Sequence, residues 1–178
     1  MDGHAWIRWG IALVVAALLV GMPARQAPAK GPSTPGSTSQ MTGTPAGALP
    51  ASVMIVKKWD GDFPVAALKK LPRGQQKAPE GYIGDPGTFT EVWKSFRPGE
   101  KAPPVDFGTN MVVFTRNVKF YNRKAITRVT LLDGIMEIRG VETMTSVPVT
   151  NKVAMAMAEV PRQGVKTLRA GDKFIPVK

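Results

Sequence analysis

The stretch Ile126-Thr127-Arg128-Val129-Thr130-Leu131-Leu132-Asp133-Gly134-Ile135-Met136-Glu137-Ile138-Arg139-Gly140-Val141 reads as a β-hairpin. Asp133-Gly134 is a two-residue turn signal, because a type I′ turn needs positive φ at both central residues. Pairing outward from the turn sets Leu132 against Ile135, Leu131 against Met136, Thr130 against Glu137, Val129 against Ile138 and Arg128 against Arg139. Successive side chains of a strand alternate faces. One face then carries Val129, Leu131, Met136 and Ile138 and is expected to meet a core. The other carries Arg128, Thr130, Glu137 and Arg139 and is expected to be wet, with Leu132 and Ile135 at its tip. A one-residue slip would exchange the faces, so the turn and the apolar pattern specify the same register.

Working outward, residues 53–59 form a short β-prone run closed by the turn residues Asp60-Gly61-Asp62. Residues 64–71 suit a strand or one helical turn. Residues 71–87 read as an irregular loop around a short strand at Tyr82-Ile83. A helix over residues 88–96 is predicted from a capping box of Thr88 with Glu91. Phe89, Val92, Trp93 and Phe96 then fall on one apolar stripe, which packs a lone helix onto a sheet, and Pro98-Gly99 ends it. Met111-Val112-Val113-Phe114-Thr115 is the most apolar strand, with a continuation through Val118-Lys119-Phe120-Tyr121. Residues 153–160 alternate Met, Ala and Val. Ala and Met also favour helix, but the period of two with Pro161 directly after favours a strand buried on both faces. Lys173-Phe174-Ile175-Pro176-Val177 is expected at a sheet edge, because Pro cannot donate to a ladder. Short strands, one helix, then several strands imply a mainly β fold: a small antiparallel sandwich or partly open barrel with the helix across one opening.

The chain has 178 residues, no Cys, a single His at position 4 and a formal net charge of +11. Residues 11–20 are an uninterrupted apolar run behind Arg8, the length of a signal-peptide core and short of the ~20 residues of a membrane span. Ala27-Pro28-Ala29 supplies a small-residue cleavage pattern, so residues 1–29 are expected to be a signal peptide, with a retained N-terminal anchor as the rival reading. Residues 30–51, rich in Pro, Gly, Ser and Thr, are expected to be a flexible linker, and residues 52–178 a single β-rich domain. The expected location is periplasmic or extracellular. Cleavage after Ala29 removes Arg8, Arg25 and Asp2 and leaves a charge of about +10, which attracts anions without selecting among them.

Glu91-Val92-Trp93 in the helix, Pro103-Pro104-Val105-Asp106-Phe107, Met111-Val112-Val113 and the strand ending Glu159-Val160-Pro161-Arg162 resemble the C-terminal domain of the PrcB-like proteins. Those are exported bacterial proteins, the founding one associated with a secreted protease complex. The resemblance covers roughly residues 82–162 and rests mostly on core and turn residues. Where that family usually has a Gly-rich, Thr-Gly-Gly-Tyr-like segment after the Met-Val-Val strand, this chain has Phe120-Tyr121-Asn122-Arg123-Lys124, which keeps an aromatic residue but not the glycines. The chain beyond Arg162 is not expected from the family pattern.

Catalytic chemistry finds few candidates. Without Cys, and without His after cleavage, Ser-His-Asp, Cys-His and His-based metal arrangements are excluded. No Ser-x-x-Lys spacing joins Ser52, Ser95 or Ser146 to a lysine, and Gly81, Gly84 and Gly87 lack the ending of a phosphate-binding loop. Glu137 is expected to screen Arg128 and Arg139, Asp106 to serve a turn, and the methionines to fill the core rather than ligate metal. The expectation is a non-enzymatic module without cofactor or metal. It would bind another envelope or secreted protein, as an accessory or regulatory subunit. The alternative is a binder of anionic polymer or lipid surface, through a basic patch with interleaved aromatics: Arg116, Lys119, Tyr121, Arg123, Lys124, Arg128 and Arg139, beside Phe120. Export argues against nucleic acid. A purely structural envelope protein is a third reading.

Overall fold

The computed structural model describes residues 49–144 and 147–178; the expected signal peptide and nearly all of the expected linker lie outside them. The hairpin forms as read. β6 (Lys124–Leu132) and β7 (Ile135–Glu142) pair antiparallel with Leu132 opposite Ile135 and Arg128 opposite Arg139. Asp133 and Gly134 take φ of 51° and 84°. The ladder shifts register between Ile126 and Arg128, a bulge at its open end. Val129 and Met136 are fully buried, while Thr130, expected to be wet, is 7% exposed.

Two sheets pack face to face. The first has the order β1–β6–β7–β10–β11, with β1 Ala51–Val53, β10 Thr167–Ala170 and β11 Lys173–Pro176. The second has the order β2–β9–β4–β3, with β2 Lys57–Pro64, β3 Glu80–Ile83, β4 Asn110–Arg116 and β9 Lys152–Pro161. Between them lies a core of Met111, Val113, Ala156, Ala158 and Val160 against Val129, Met136, Ile138 and Leu168. The helix, α1 (Pro86–Phe96), and a 3-10 turn at Val65–Lys70 cover the other face of the second sheet. The architecture is therefore mainly β, built chiefly of antiparallel strands, with no closed barrel. The helix lies flat on a sheet rather than across an opening.

β9 shows why its sequence alternates. Val153, Met155 and Met157 point into the helix-side core, whereas Ala156 and Ala158 point at the facing sheet. Long side chains fill the irregular space under a helix; small ones let two sheets approach closely. The helix stripe packs as expected, with Phe89, Val92, Trp93 and Phe96 buried. Its start differs. Asp85 is the N-cap, its carboxylate accepting from the Thr88 N–H at 2.8 Å, and Pro86 opens the first turn. Asp-Pro satisfies both the cap and the first helical position, which leaves Glu91 to pair with Lys94 at 2.7 Å.

Two further expectations are corrected, and one strand is new. Asp60-Gly61-Asp62 is not a turn but the middle of β2. A Cβ on Gly61 would touch the Phe96 ring at 3.4 Å, and Asp62 is paired with Lys152 at 2.6 Å, so tertiary contacts override turn propensity. β4 does not continue past Arg116, because Asn117 turns its side chain to backbone amides and the chain leaves the sheet. β10, which the sequence pattern did not single out, pairs parallel with β7 and buries Leu168. Pro176 sits in the edge strand β11, and its carbonyl accepts from the Tyr82 hydroxyl at 2.9 Å.

Candidate binding site

Two connections carry the chain between the sheets at one end of the sandwich: residues 117–123 from β4 to β6, and residues 143–151 from β7 to β9. They pair with each other. β5 (Phe120–Tyr121) lies antiparallel to β8 (Val147–Pro148), extended by Val149 N–H donating to the Lys119 carbonyl at 3.1 Å. The ribbon so formed is pinned by buried Asn117, whose Oδ1 accepts from the Ala154 N–H at 3.0 Å and the Asn122 N–H at 3.1 Å. Arg116 braces the same corner. It is 4% exposed and donates to the carbonyls of Asn117 at 2.9 Å and Gln76 at 2.8 Å. Burial lowers its pKa, and its role is structural, which removes it from the expected basic patch.

The ribbon end exposes apolar surface. Phe120 is 51% exposed, Val147 62% and Met144 98%, with Val118 and Val141 also exposed. Neither residues 116–128 nor residues 143–152 contain an Asp or Glu. Lys119 and Arg123 are exposed there, and Lys124 pairs with Glu142 at 2.9 Å. Of the seven residues read from the sequence, Lys119, Tyr121, Arg123 and Lys124 are therefore brought together at this end.

At the base of the ribbon is an open cleft of about 830 Å³. Its floor includes residues 60–62 of β2, one wall is the end of α1 with Arg97, and the other is Tyr121, Arg123 and Lys124. Asp62 accepts hydrogen bonds from the Tyr121 hydroxyl and from Lys152, whose ammonium lies 5.5 Å from the Tyr121 ring centroid. Burial alone would raise the Asp62 pKa. The hydrogen bonds from Lys152 and Tyr121 and the charges of Lys152 and Arg123 outweigh it and hold the carboxyl below its ordinary value. Asp62 in turn raises the pKa values of Tyr121 and Lys152. Arg97 lies over the Phe96 ring at 5.2 Å and donates to the Asp60 carbonyl at 2.6 Å. Arg97, Asp60, Asp62 and Lys152 were not among the site residues expected from the sequence, where Asp60 and Asp62 read as a turn, because no motif links positions so far apart in the chain.

Arg139 and Arg128 lie apart from this end's centre. They face each other across the hairpin as expected, but they line different grooves. Arg128 lies with Lys57 and Lys58, and Arg139 with Glu80, Lys124 and Glu137. Glu137 binds Arg169 of β10 at 2.8 Å and reaches Arg139 only at 3.8 Å, so β10 supplies the main partner that the sequence reading gave to the hairpin arginines. Among the described residues, no three His, Cys, Asp or Glu side chains gather closely enough to hold a metal ion.

Glu80, in the Arg139 groove, has its pKa raised by burial, against the opposing effects of a backbone hydrogen bond at Gly171 and the Lys124 charge. A carboxyl with a raised folded pKa is most favourable when protonated. Its ionisation therefore costs stability as pH climbs from the unfolded value through the folded one, and the cost is complete above both. Glu80→Gln should accordingly stabilise the protein at pH 7 and change nothing below about pH 4. Urea titrations at the two pH values would show it; an equal effect at both would mean that ionisation of Glu80 has no part in stability.

Comparison of the chain with protein-family models, with curated proteins and with solved structures returned no match.

Proposed function

We propose that this is a non-enzymatic, exported protein-binding module, an accessory or regulatory subunit of an envelope or secreted complex, and that the β5/β8 ribbon is its contact surface. The observation that carries this is the half-exposed Phe120 with Val147 and Met144, set on an acid-free ribbon between Lys119 and Arg123. Aromatic, Met and Arg side chains on a projecting element are the composition of interface centres, and a soluble surface rarely gathers such apolar residues without use. The leader-like residues 1–29 and the resemblance to PrcB-like proteins support the same reading. The acid-free basic connections favour a second one, in which the ribbon meets an anionic polymer or lipid surface.

Affinity capture of the full chain from the native envelope fraction, with crosslinking, separates them. The protein reading expects one stoichiometric partner, retained at about 0.5 M salt, where exposed charges are screened, and lost from a Phe120→Ser/Val147→Ser variant of unchanged melting temperature. Capture that disappears with salt alone would favour the polymer or lipid surface. Stoichiometric capture by the double variant would rule out the ribbon.

A further inference from the structure

β2 is an edge strand of its sheet, and its outer side is the floor of the cleft beside the ribbon. Its register with β9 pairs Phe63 with Val153, and the Val65 N–H donates to the Asn151 carbonyl at 2.9 Å one alternation further on. In an antiparallel ladder the residues that exchange hydrogen bonds alternate with those that do not. Trp59, Gly61 and Phe63 thus bond to β9, while the N–H and C=O groups of Lys58, Asp60 and Asp62 point out of the sheet. Only the Asp60 carbonyl has a partner among the described residues, the Arg97 guanidinium. An eight-residue strand is long for an open edge, and natural proteins blunt such edges with charges and covering side chains. Here β2 carries its own charges at Lys57, Lys58, Asp60 and Asp62, and among the described residues the group bonded to its outer backbone is the Arg97 side chain, which can rotate away.

Both walls carry a cation, whereas the strand between them carries Asp60 and Asp62. Arg97 stands on the helix side and Arg123 on the ribbon side, and neither makes an ion pair among the described residues; Lys152 is held by Asp62. A strand laid along β2 would send alternate side chains toward these two walls. Planar guanidinium groups receive carboxylates in two-point hydrogen bonds.

We infer that the β2 edge takes an extended, carboxylate-rich peptide segment by strand addition, with its backbone on Lys58–Asp60–Asp62 and its acidic side chains on Arg97 and Arg123. Strand addition gives affinity through the main chain and selects through the alternate side chains. Bound in this way, the peptide displaces Arg97 from the Asp60 carbonyl and offers it a carboxylate instead. The inference rests on the protein-binding reading and supplies the chemistry of one segment of the partner.

The test is an NMR titration of the full-length protein with a blocked heptapeptide, Thr-Thr-Glu-Glu-Glu-Thr-Thr, whose adjacent Glu side chains face both walls. Two control peptides accompany it, one N-methylated at every backbone nitrogen and one with Lys in place of Glu. Binding should shift the amide signals of Lys58, Asp60 and Asp62 above those of Trp59 and Gly61. It should weaken about tenfold or more in an Arg97→Gln/Arg123→Gln variant and vanish for both control peptides. No binding at millimolar peptide, equal binding of the N-methylated peptide, or undiminished binding to the arginine variant would each overturn it. Capture of a native partner through Phe120 and Val147 is read separately. If that capture persists while the peptide fails, the strand-addition site is refuted and the ribbon reading stands.

Discussion

Trp93→Ala is expected to cost about 3–5 kcal/mol of folding stability, the range for truncating a large buried aromatic. Trp93 is 4% exposed, and its indole meets Trp59 at 5.6 Å, Phe89 at 5.7 Å and Phe96 at 5.8 Å between ring centroids. These rings join the helix to β2, so the cavity cannot close without moving α1. The indole N–H has no partner among the described residues. Trp93→Phe removes that unsatisfied donor while keeping most of the ring, and should recover most of the loss. A urea titration of the two variants decides it: a change within about 0.5 kcal/mol for the Ala variant would be surface behaviour and would contradict the packing of α1.

Removing the Asn117 carboxamide should be the second large effect, and a local one. Asn117→Ala leaves the Ala154 and Asn122 N–H groups without their acceptor. Each unsatisfied buried donor costs about 1–3 kcal/mol, and the Asn122 amide lies nearer solvent, so a total of about 2–4 kcal/mol is expected. Amide hydrogen exchange gives the sharper signature. Protection should fall at Tyr121, Asn122 and Val149 in the ribbon while the β6/β7 ladder keeps its own. Uniform loss across the hairpin would show that Asn117 supports the whole sandwich rather than its end.

The hairpin was legible because everything that specifies it is local: a turn dipeptide and a period of two, both within sixteen residues. The helix stripe was legible for the same reason. Its cap lies three residues before the one that the capping box predicts, because Thr88 and Asp85 both suit an N-cap and Pro86 fixes the first helical position. Asp60-Gly61-Asp62 misled because its turn composition is real. What straightens it is Phe96 over Gly61 and Lys152 beside Asp62, neither of them near in sequence. The basic residues of the ribbon could be named, but not the ribbon itself. β5 and β8 are too short to carry a period, and their pairing depends on a hairpin that returns the chain to the same place. Arg116 shows the limit most clearly. A charged residue next to exposed lysines and arginines reads as surface, and only the carbonyls of Gln76 and Asn117 turned toward it explain why it lies inside. The cleft depends on four segments that meet only after folding.

The placement of the methionines has a chemical consequence. Met111, Met136, Met155 and Met157 are fully buried, whereas Met54 is 68% and Met144 98% exposed. Sulfoxide formation requires the thioether to meet oxidant and would introduce a polar group that this core cannot accommodate. Peroxide should therefore divide the described methionines into two kinetic classes. The exposed pair reacts as it would in a peptide, Met144 taking the first lesion at the ribbon. The buried four react in proportion to the fraction of time the fold is open, so their oxidation rate measures the opening equilibrium under native conditions.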